Sequence, residues 1–548
     1  MSDDSHQWDV ECDVVVVGSG AAALSAAVTA AVGGARVQVL EKEPVLGGTT
    51  GVSGGAIWIP NNRHLAPAGL QDSREDAASY IRHIAGGRTV DPHLIDVFVD
   101  TAPQMLDFLE AVTPLETQPV TNLHDYYETI RERVPGCKDF SRSVEPMPFP
   151  AVEELGEWSE RLATRSSLLS LGADTTLKED EAARGRGGPL ATLEAMAERE
   201  RRGIRVKGAA LVGALLKTLL EHDVEVRLET TAQRLVMDDH DRVIGVRAET
   251  LDGPLRIRAH RGVVLACGGF EWDHDMVRAY IGYDVQPLSP GGNVGDGHRM
   301  AMRAGAQLSQ MSNYWGQGAG FDPAIVGLNG KPFPQMMRGL GPGSIIVNRT
   351  GERFADGAIT YNDFPKTFGN FDPTEPGYPN LPPAWVVFGQ NLKREKAILS
   401  VSPTEDAPEW IIRAETIEEL ASIIGVDPVG LAASVDEENE AAERNGDSGH
   451  AGRILGPPYY AVQQWPGTLG TSGGCRINEH AQVLGERGQP IPGLYAAGNT
   501  AASALSGAYL GGGTPIAVGM TFGFLAGRHL TNSVELPVEV AAPGSVTM

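Results

Sequence analysis

Cysteine is scarce: the 548 residues hold four, Cys12, Cys137, Cys267 and Cys475, far apart and in no paired spacing. That pattern excludes a disulfide scaffold and fits a reducing cytoplasm, with Cys12 and Cys267 read as small core residues at strands or strand ends. No metal-ligating cluster is expected. No uninterrupted apolar run reaches about 18 residues, so no spanning helix is expected. Positive charge is in deficit, 45 Lys and Arg against 70 Asp and Glu, for a formal net charge of −25. Nucleic acid and anionic membrane are therefore disfavoured as general partners, and the local basic runs at 131–142 and 198–207 read as solvated faces. The stretch Met1 to Val10 lacks a basic start and an apolar core, so secretion is not expected and the cytoplasm is. No repeat of solenoid period is present.

What is present is ordered by one stretch, Cys12 to Thr50. Asp13 to Val17 reads as a fully buried strand, and Gly18-Ser19-Gly20-Ala21-Ala22-Ala23 turns the chain into an Ala-rich helix ending near Gly33-Gly34. A second strand from Arg36 to Leu40 then delivers Glu41. Gly18 and Gly20 permit the turn and the close approach of backbone to a pyrophosphate. The N–H groups of Ala21 and Ala22 open the helix, and Glu41 accepts the ribose hydroxyls. Strand before, helix after and an acid about 20 residues on make this a dinucleotide fingerprint. A second glycine-rich run, Gly47-Gly48-Thr49-Thr50-Gly51-Val52-Ser53-Gly54-Gly55, follows Glu41-Lys42 and favours a flavin dinucleotide, whose greater length it would line.

At this length two or three domains are the prior. Helical spacing marks Ser73 to Ala85 and Pro92 to Val112, and 131–205 reads as a helical cap or insertion. A helix over Ala209 to His222, a short strand over Val224 to Leu228 and a meander over 233–260 follow. Gly262 to Phe270 repeats the grammar of a buried strand followed by glycines, placing Ala266, Gly268 and Gly269 near the cofactor. Asp296, in Asn293-Val294-Gly295-Asp296-Gly297, is either a helix cap or a cofactor contact. Composition changes over 310–465, where a substrate domain is expected. Gly493 to Asn499, bringing Gly498 and Asn499, then completes the first sheet, and Gly511 to Pro515 leads into an apolar helix. The expected fold is α/β: a discontinuous, Rossmann-like FAD-binding domain, 1–309 and 466–548, with an α+β substrate domain inserted at 310–465.

These motifs together resemble the flavoprotein superfamily of fumarate reductases and 3-ketosteroid dehydrogenases. The resemblance implies extended FAD with its ring between the two domains, and no second GxGxxG marks a separate NAD(P)H site. The 47–53 run lacks the histidine of covalent flavin enzymes, so non-covalent FAD is expected. The fumarate branch carries an arginine where this chain has Ala508-Tyr509-Leu510-Gly511-Gly512, which disfavours a dicarboxylate. The 3-ketosteroid Δ1-dehydrogenase branch fits better, through Tyr509-Leu510-Gly511-Gly512-Gly513, Pro342 to Val347, Gly351-Glu352-Arg353-Phe354, Tyr361, Asp125-Tyr126-Tyr127 and Arg142-Ser143-Val144-Glu145-Pro146. Leu510 stands where that family usually has proline, and Phe354-Ala355-Asp356-Gly357 replaces its common Phe-Val-Asn-Glu, which bears on the exact substrate.

By this resemblance Tyr509 and the Gly513 N–H polarise a ketone, Tyr361 takes the C2 proton, and the C1 hydride passes to flavin N5. A phenol of ordinary pKa about 10 is a poor base near neutrality, so a neighbouring phenol, Tyr126 or Tyr127, is expected to donate to it. Tyr314 and Trp315 are candidate walls for a flat polycyclic substrate. The expected partners are a steroid and a quinone or similar acceptor, with peripheral membrane contact compatible with so hydrophobic a substrate. A Δ4-(5α)-dehydrogenase, another cyclic-ketone dehydrogenase and a reductase of an enoyl substrate are the alternatives on the same fold.

Overall fold

In the computed structural model the described residues are 8–164, 175–183, 185, 188–327, 332–356, 359–444 and 452–531. Its first sheet is built around Val10–Val17, where Val14, Val15 and Val16 are wholly buried. A parallel strand covered on both faces has no solvated side, which is why it reads as a continuous apolar run. The strand order is Gln482–Leu484, Pro490–Ala496, Gly253–Leu265, Val10–Val17, Val37–Leu40, Glu225–Arg227. Pro490–Ala496 joins in parallel through Leu494, Tyr495 and Ala496, so a segment more than 470 residues downstream closes the sheet begun at the N-terminal side.

Two stretches expected as separate strands, around 255–260 and 262–265, form one strand, Gly253–Leu265. Its first half, up to Arg258, pairs antiparallel with Val243–Thr250, while the part from Ile257 to Leu265 runs parallel to Val10–Val17. The exposed pair His260-Arg261 resembles a turn in sequence, but here it lies where the strand emerges from between its covering layers.

A second sheet orders Pro332–Met336, Tyr314–Val326, Tyr459–Thr471, Ala384–Gly389, Ser344–Val347 and Arg353–Ala355. Tyr459–Thr471 is its hub and also takes Gln286–Pro287 and Ile412–Ala414. This strand runs through the division expected at 465/466, so the chain leaves the second sheet only after Thr471. The 131–205 stretch, expected as a helical cap or insertion, combines a strand with short helices. Ser143–Pro146 pairs with both Ile57–Trp58 and Thr117–Pro119, and short helices cover Ala151–Leu155, Leu177–Ala183 and Leu193–Arg201. Its residues 165–174, 184, 186 and 187 lie outside the described residues, as does 532–548 of the expected cofactor domain.

The last described helix, Thr514–Thr531, lies directly on the first, Ala21–Val32. Gly519, Gly523 and Gly527 recur every fourth residue and so share one face. A Cβ on Gly523 would stand 2.2 Å from the Ala22 carbonyl oxygen, and one on Gly527 2.6 Å from that of Ala26. This backbone-to-backbone seating fixes Gly513, just before the last helix, relative to the turn that begins the first.

Candidate active site

The residues expected to hold the nucleotide converge at the carboxyl ends of the first sheet. Gly18 has φ +107°, and a Cβ there would stand 2.4 Å from the Ala266 carbonyl oxygen, so two strand ends meet without room for a side chain. Ser19 ties the turn together: its hydroxyl donates to Glu41 and accepts from the Gly47 N–H at 2.9 Å. Thr50 Oγ1 accepts from the Ala21 N–H at 3.0 Å, which docks the short helix Gly48–Gly51 on the start of Ala21–Val32. Thr49 Oγ1 accepts from Asn293 Nδ2 at 3.1 Å. Gly498 approaches Ala22, whose Cβ a side chain there would meet at 3.0 Å, and Gly268 offers its carbonyl to Thr500 Oγ1 at 2.9 Å.

These residues fit a long dinucleotide. The Gly48 position opens onto space and a Cβ on Gly20 would meet nothing nearer than Thr50 Oγ1 at 3.6 Å, the buried Glu41 carboxyl is raised by burial against the Ser19 and Glu43 donors, and the buried Ser472 hydroxyl beside Gly498 and Asn499 has no partner among the described residues. Ser53 Oγ serves its own turn, donating to Thr50 O at 2.7 Å and accepting from Gly55 N at 3.0 Å. Gly55, at φ +70°, lets the chain pass 2.3 Å from where a Cβ would strike Lys207, while the Gly54 position is open apart from Leu177. Lys42 and Asp296 hold each other at 2.7 Å, and the N-cap of Asp296–Arg303 is Gly295, so Asp296 is an ion-pair residue rather than the cap.

The second constellation is aromatic. Tyr126 and Tyr361 hydroxyls lie 2.6 Å apart. The Tyr126 ring stacks on Tyr509 at 5.5 Å, and Tyr361 meets Tyr509 edge-on at 5.3 Å. The Gly513 N–H and the Tyr361 hydroxyl both lie close enough to the Tyr509 phenol to act on its ionisation. Withdrawal from water pushes all three phenols well above their ordinary range, with mutual proximity adding to it. Tyr509 is buried, whereas Tyr126 and Tyr361 keep part of their surface open.

The two constellations touch through Trp315. Its indole N–H donates to Asn499 Oδ1 at 2.9 Å while its ring stands edge-on to Tyr509 at 5.5 Å. Tyr314 instead donates to, or accepts from, Tyr283 at 2.9 Å within a core of Phe270, Met276, Val277 and Val285, so it is packing and not a pocket wall. Consecutive loop residues diverge likewise: Tyr127 turns away from the cluster and its hydroxyl donates to Asp363, which removes it as partner of Tyr361.

What holds the 509–513 turn was only partly visible in sequence. Leu510 O accepts from the Tyr126 N–H at 2.9 Å and the Tyr80 hydroxyl at 2.7 Å, and Gly512 O accepts from Ser143 Oγ at 2.6 Å. Behind these lies a wholly buried guanidinium, Arg142, paired with Asp72 at 2.7 Å and Asp125 at 2.5 Å, with Trp58 Nε1 donating to Asp125 at 3.0 Å. The motif containing Arg142 and Ser143 was identifiable, but its role depends on residues 70 and 370 positions away. Arg142→Met strands two buried carboxylates and is expected to destabilise the protein by about 3–5 kcal/mol, read as a lower denaturation midpoint. Glu271 is a further residue sequence reasoning missed. Buried, and raised by burial, it accepts from Ser289, Asn293 and the Thr471 N–H beneath Gly269.

Residues 13–516 match the FAD binding domain family. The chain belongs to that family. FAD is accordingly the cofactor of this flavoprotein. It is similar to the 4-oxocyclohexanecarboxylate 2-dehydrogenase of Sinomonas cyclohexanicum, at 36% identity over 94% of this chain and 92% of that one. A 3-oxosteroid 1-dehydrogenase of Mycobacterium tuberculosis is 34% identical over 95% of this chain and 98% of the relative. Among solved structures, 3-ketosteroid delta1-dehydrogenase from Sterolibacterium denitrificans, in complex with 1,4-androstadiene-3,17-dione, superposes with a TM-score of 0.83 at 30% identity, covering 95% and 99% of the two chains. Among the described residues of the flavoprotein no helix is long and apolar enough to cross a membrane, and no cluster suits a metal ion.

One buried histidine sets a pH limit on this architecture. His298 donates from Nε2 to Gly473 O at 3.1 Å, its Nδ1 has no partner among the described residues, and burial holds its pKa down at about 4. The folded pKa lies below the unfolded value near 6.5, so the unfolded chain binds the extra proton. Stability from this group is present above pH 6.5 and is lost as pH falls toward 4, by about 3 kcal/mol. His298→Gln is expected to flatten the fall in melting temperature over that window relative to the unsubstituted protein.

Proposed function

We propose that the flavoprotein desaturates a 3-ketosteroid across C1 and C2, with the first sheet as cofactor domain and the second as substrate domain. The observation that carries this is the convergence of three phenols and the Gly513 N–H beside the Gly498-Asn499 strand end. The ketone oxygen accepts from Tyr509 O–H and Gly513 N–H, donors rigidly placed where negative charge develops. With the carbonyl polarised, the Tyr361 oxygen takes the C2 proton, and Tyr126 donates to that oxygen to favour its charged form. The electron pair of the C2–H bond forms the C1–C2 double bond as hydride leaves C1. FAD, when bound, supplies the acceptor for that hydride. Trp315 spans the two constellations and orients Tyr509 against Asn499. A quinone or similar oxidant is the final electron acceptor in this reading.

The 36% identical relative named for a one-ring keto acid favours a second reading, the same chemistry on a cyclohexanone carboxylate. Turnover of the purified yellow protein with an artificial acceptor, offered a 3-ketosteroid and 4-oxocyclohexanecarboxylate in parallel, separates them. A steroid 1,4-diene supports the first reading, and turnover of the single-ring acid alone replaces it with the second.

A further inference from the structure

The cluster just described has a difficulty of its own. Tyr361 is asked to act as a base, yet withdrawal from water favours its neutral form. The fold supplies an opposing charge that the motif reading did not assign. Arg338 follows Met337, whose N–H is anchored on Gly318 O at 2.9 Å, and precedes Gly339, whose N–H donates to Gln464 Oε1 at 3.2 Å. Its Nη1 reaches across to donate to the carbonyl of Ile359, two residues before Tyr361. The side chain is half-buried, and among the described residues no carboxylate lies within ion-pair distance of it. Its hydrogen bond to Ile359 brings that charge beside the Tyr361 segment, and Tyr126, Tyr361 and Asp356 are the groups within its electrostatic reach. The other groups in play are the Tyr509 hydroxyl against Tyr361, and Tyr80 and Glu181 against Tyr126.

A guanidinium already paired with an acid would have spent its field on that acid. Left with a backbone carbonyl and two phenols, its field falls on the oxygens where a negative charge would form. We propose that Arg338 is a positioning residue that makes Tyr361 a competent base, its cation stabilising the phenolate oxygen through space while its hydrogen bond to Ile359 fixes the segment bearing Tyr361. This rests on the reading of Tyr361 as the proton acceptor. Arg lends itself to the task because its own proton is not lost in the working pH range.

Two substitutions separate charge from tether. Arg338→Gln keeps an N–H donor for Ile359 and removes the charge, while Arg338→Lys keeps the charge. Ionisation of Tyr361 is read in the holoprotein by ultraviolet pH-jump difference spectra against the matching Tyr361→Phe protein, so that the other tyrosines cancel. The expected result is a midpoint raised by a unit or more in Arg338→Gln, tenfold less phenolate at a given lower pH, and a smaller rise in Arg338→Lys. Flavin reduction by substrate in Arg338→Gln is expected to be slowed most at low pH and to recover as pH rises. An unmoved Tyr361 midpoint in Arg338→Gln, or a rate loss equal at all pH values, overturns the proposal. If no ketone reduces the flavin of the unsubstituted protein, the desaturase reading fails, and the titration still decides whether Arg338 and Tyr361 are coupled.

Discussion

Tyr361→Phe is expected to keep its FAD and to slow reduction of the flavin by a 3-ketosteroid by about 10²–10⁴-fold. The hydroxyl removed is the one hydrogen-bonded to Tyr126 at 2.6 Å, and the ring that remains still packs edge-on against Tyr509. The substitution therefore takes away a proton acceptor and little packing, so substrate affinity should change far less than the rate. Rapid anaerobic mixing, with steroid concentration varied, gives the two quantities separately. A loss under about tenfold, ~1.4 kcal/mol, would remove Tyr361 from the role of base.

Tyr509→Phe is expected to cost about 10²–10³ in the same rate constant, because in the proposed mechanism it deletes one donor of the pair that receives the developing enolate oxygen. The ring is held independently of its hydroxyl, between Tyr126 and the edge of Trp315, so geometry should survive. In the proposed mechanism the two phenols act in one step: the base cannot remove an unacidified proton, and polarisation alone does not break the C–H bond. The double variant Tyr361→Phe with Tyr509→Phe should accordingly lose much less than the product of the single losses. Full multiplicativity would mean that the two hydroxyls serve separate events.

Much of this site was legible in one dimension because local grammar encodes it. Gly18, Gly20, Ala21, Ala22 and Glu41 sit in one βαβ unit, and the geometry of that unit follows from short-range constraints on turn, helix start and strand end. Tyr361 and Tyr509 were identifiable as candidates through motifs that resemble a family, but nothing local brings them together. Their meeting depends on the glycine face of Thr514–Thr531 seating on Ala21–Val32 and on the second sheet crossing back through Tyr459–Thr471. Tyr126 and Tyr127 show the limit sharply. Adjacent in sequence and identical in type, they are separated by which way a loop turns, one to Tyr361 and the other to Asp363. The roles of Arg142 and Arg338 were hidden for the same reason, since what such a cation does is set by partners distant in sequence. The Gly253–Leu265 strand was split in the reading because His260-Arg261 is polar where the strand simply reaches solvent.

The most direct measurement mixes the oxidised flavoprotein anaerobically with a 3-keto-4-ene steroid, follows the flavin absorbance and identifies the product. The arrangement of Tyr509, Gly513, Tyr361 and Tyr126 predicts that the yellow colour bleaches and one equivalent of the 1,4-diene forms per flavin. Flavin that stays oxidised, or a new double bond placed away from C1 and C2, would contradict it.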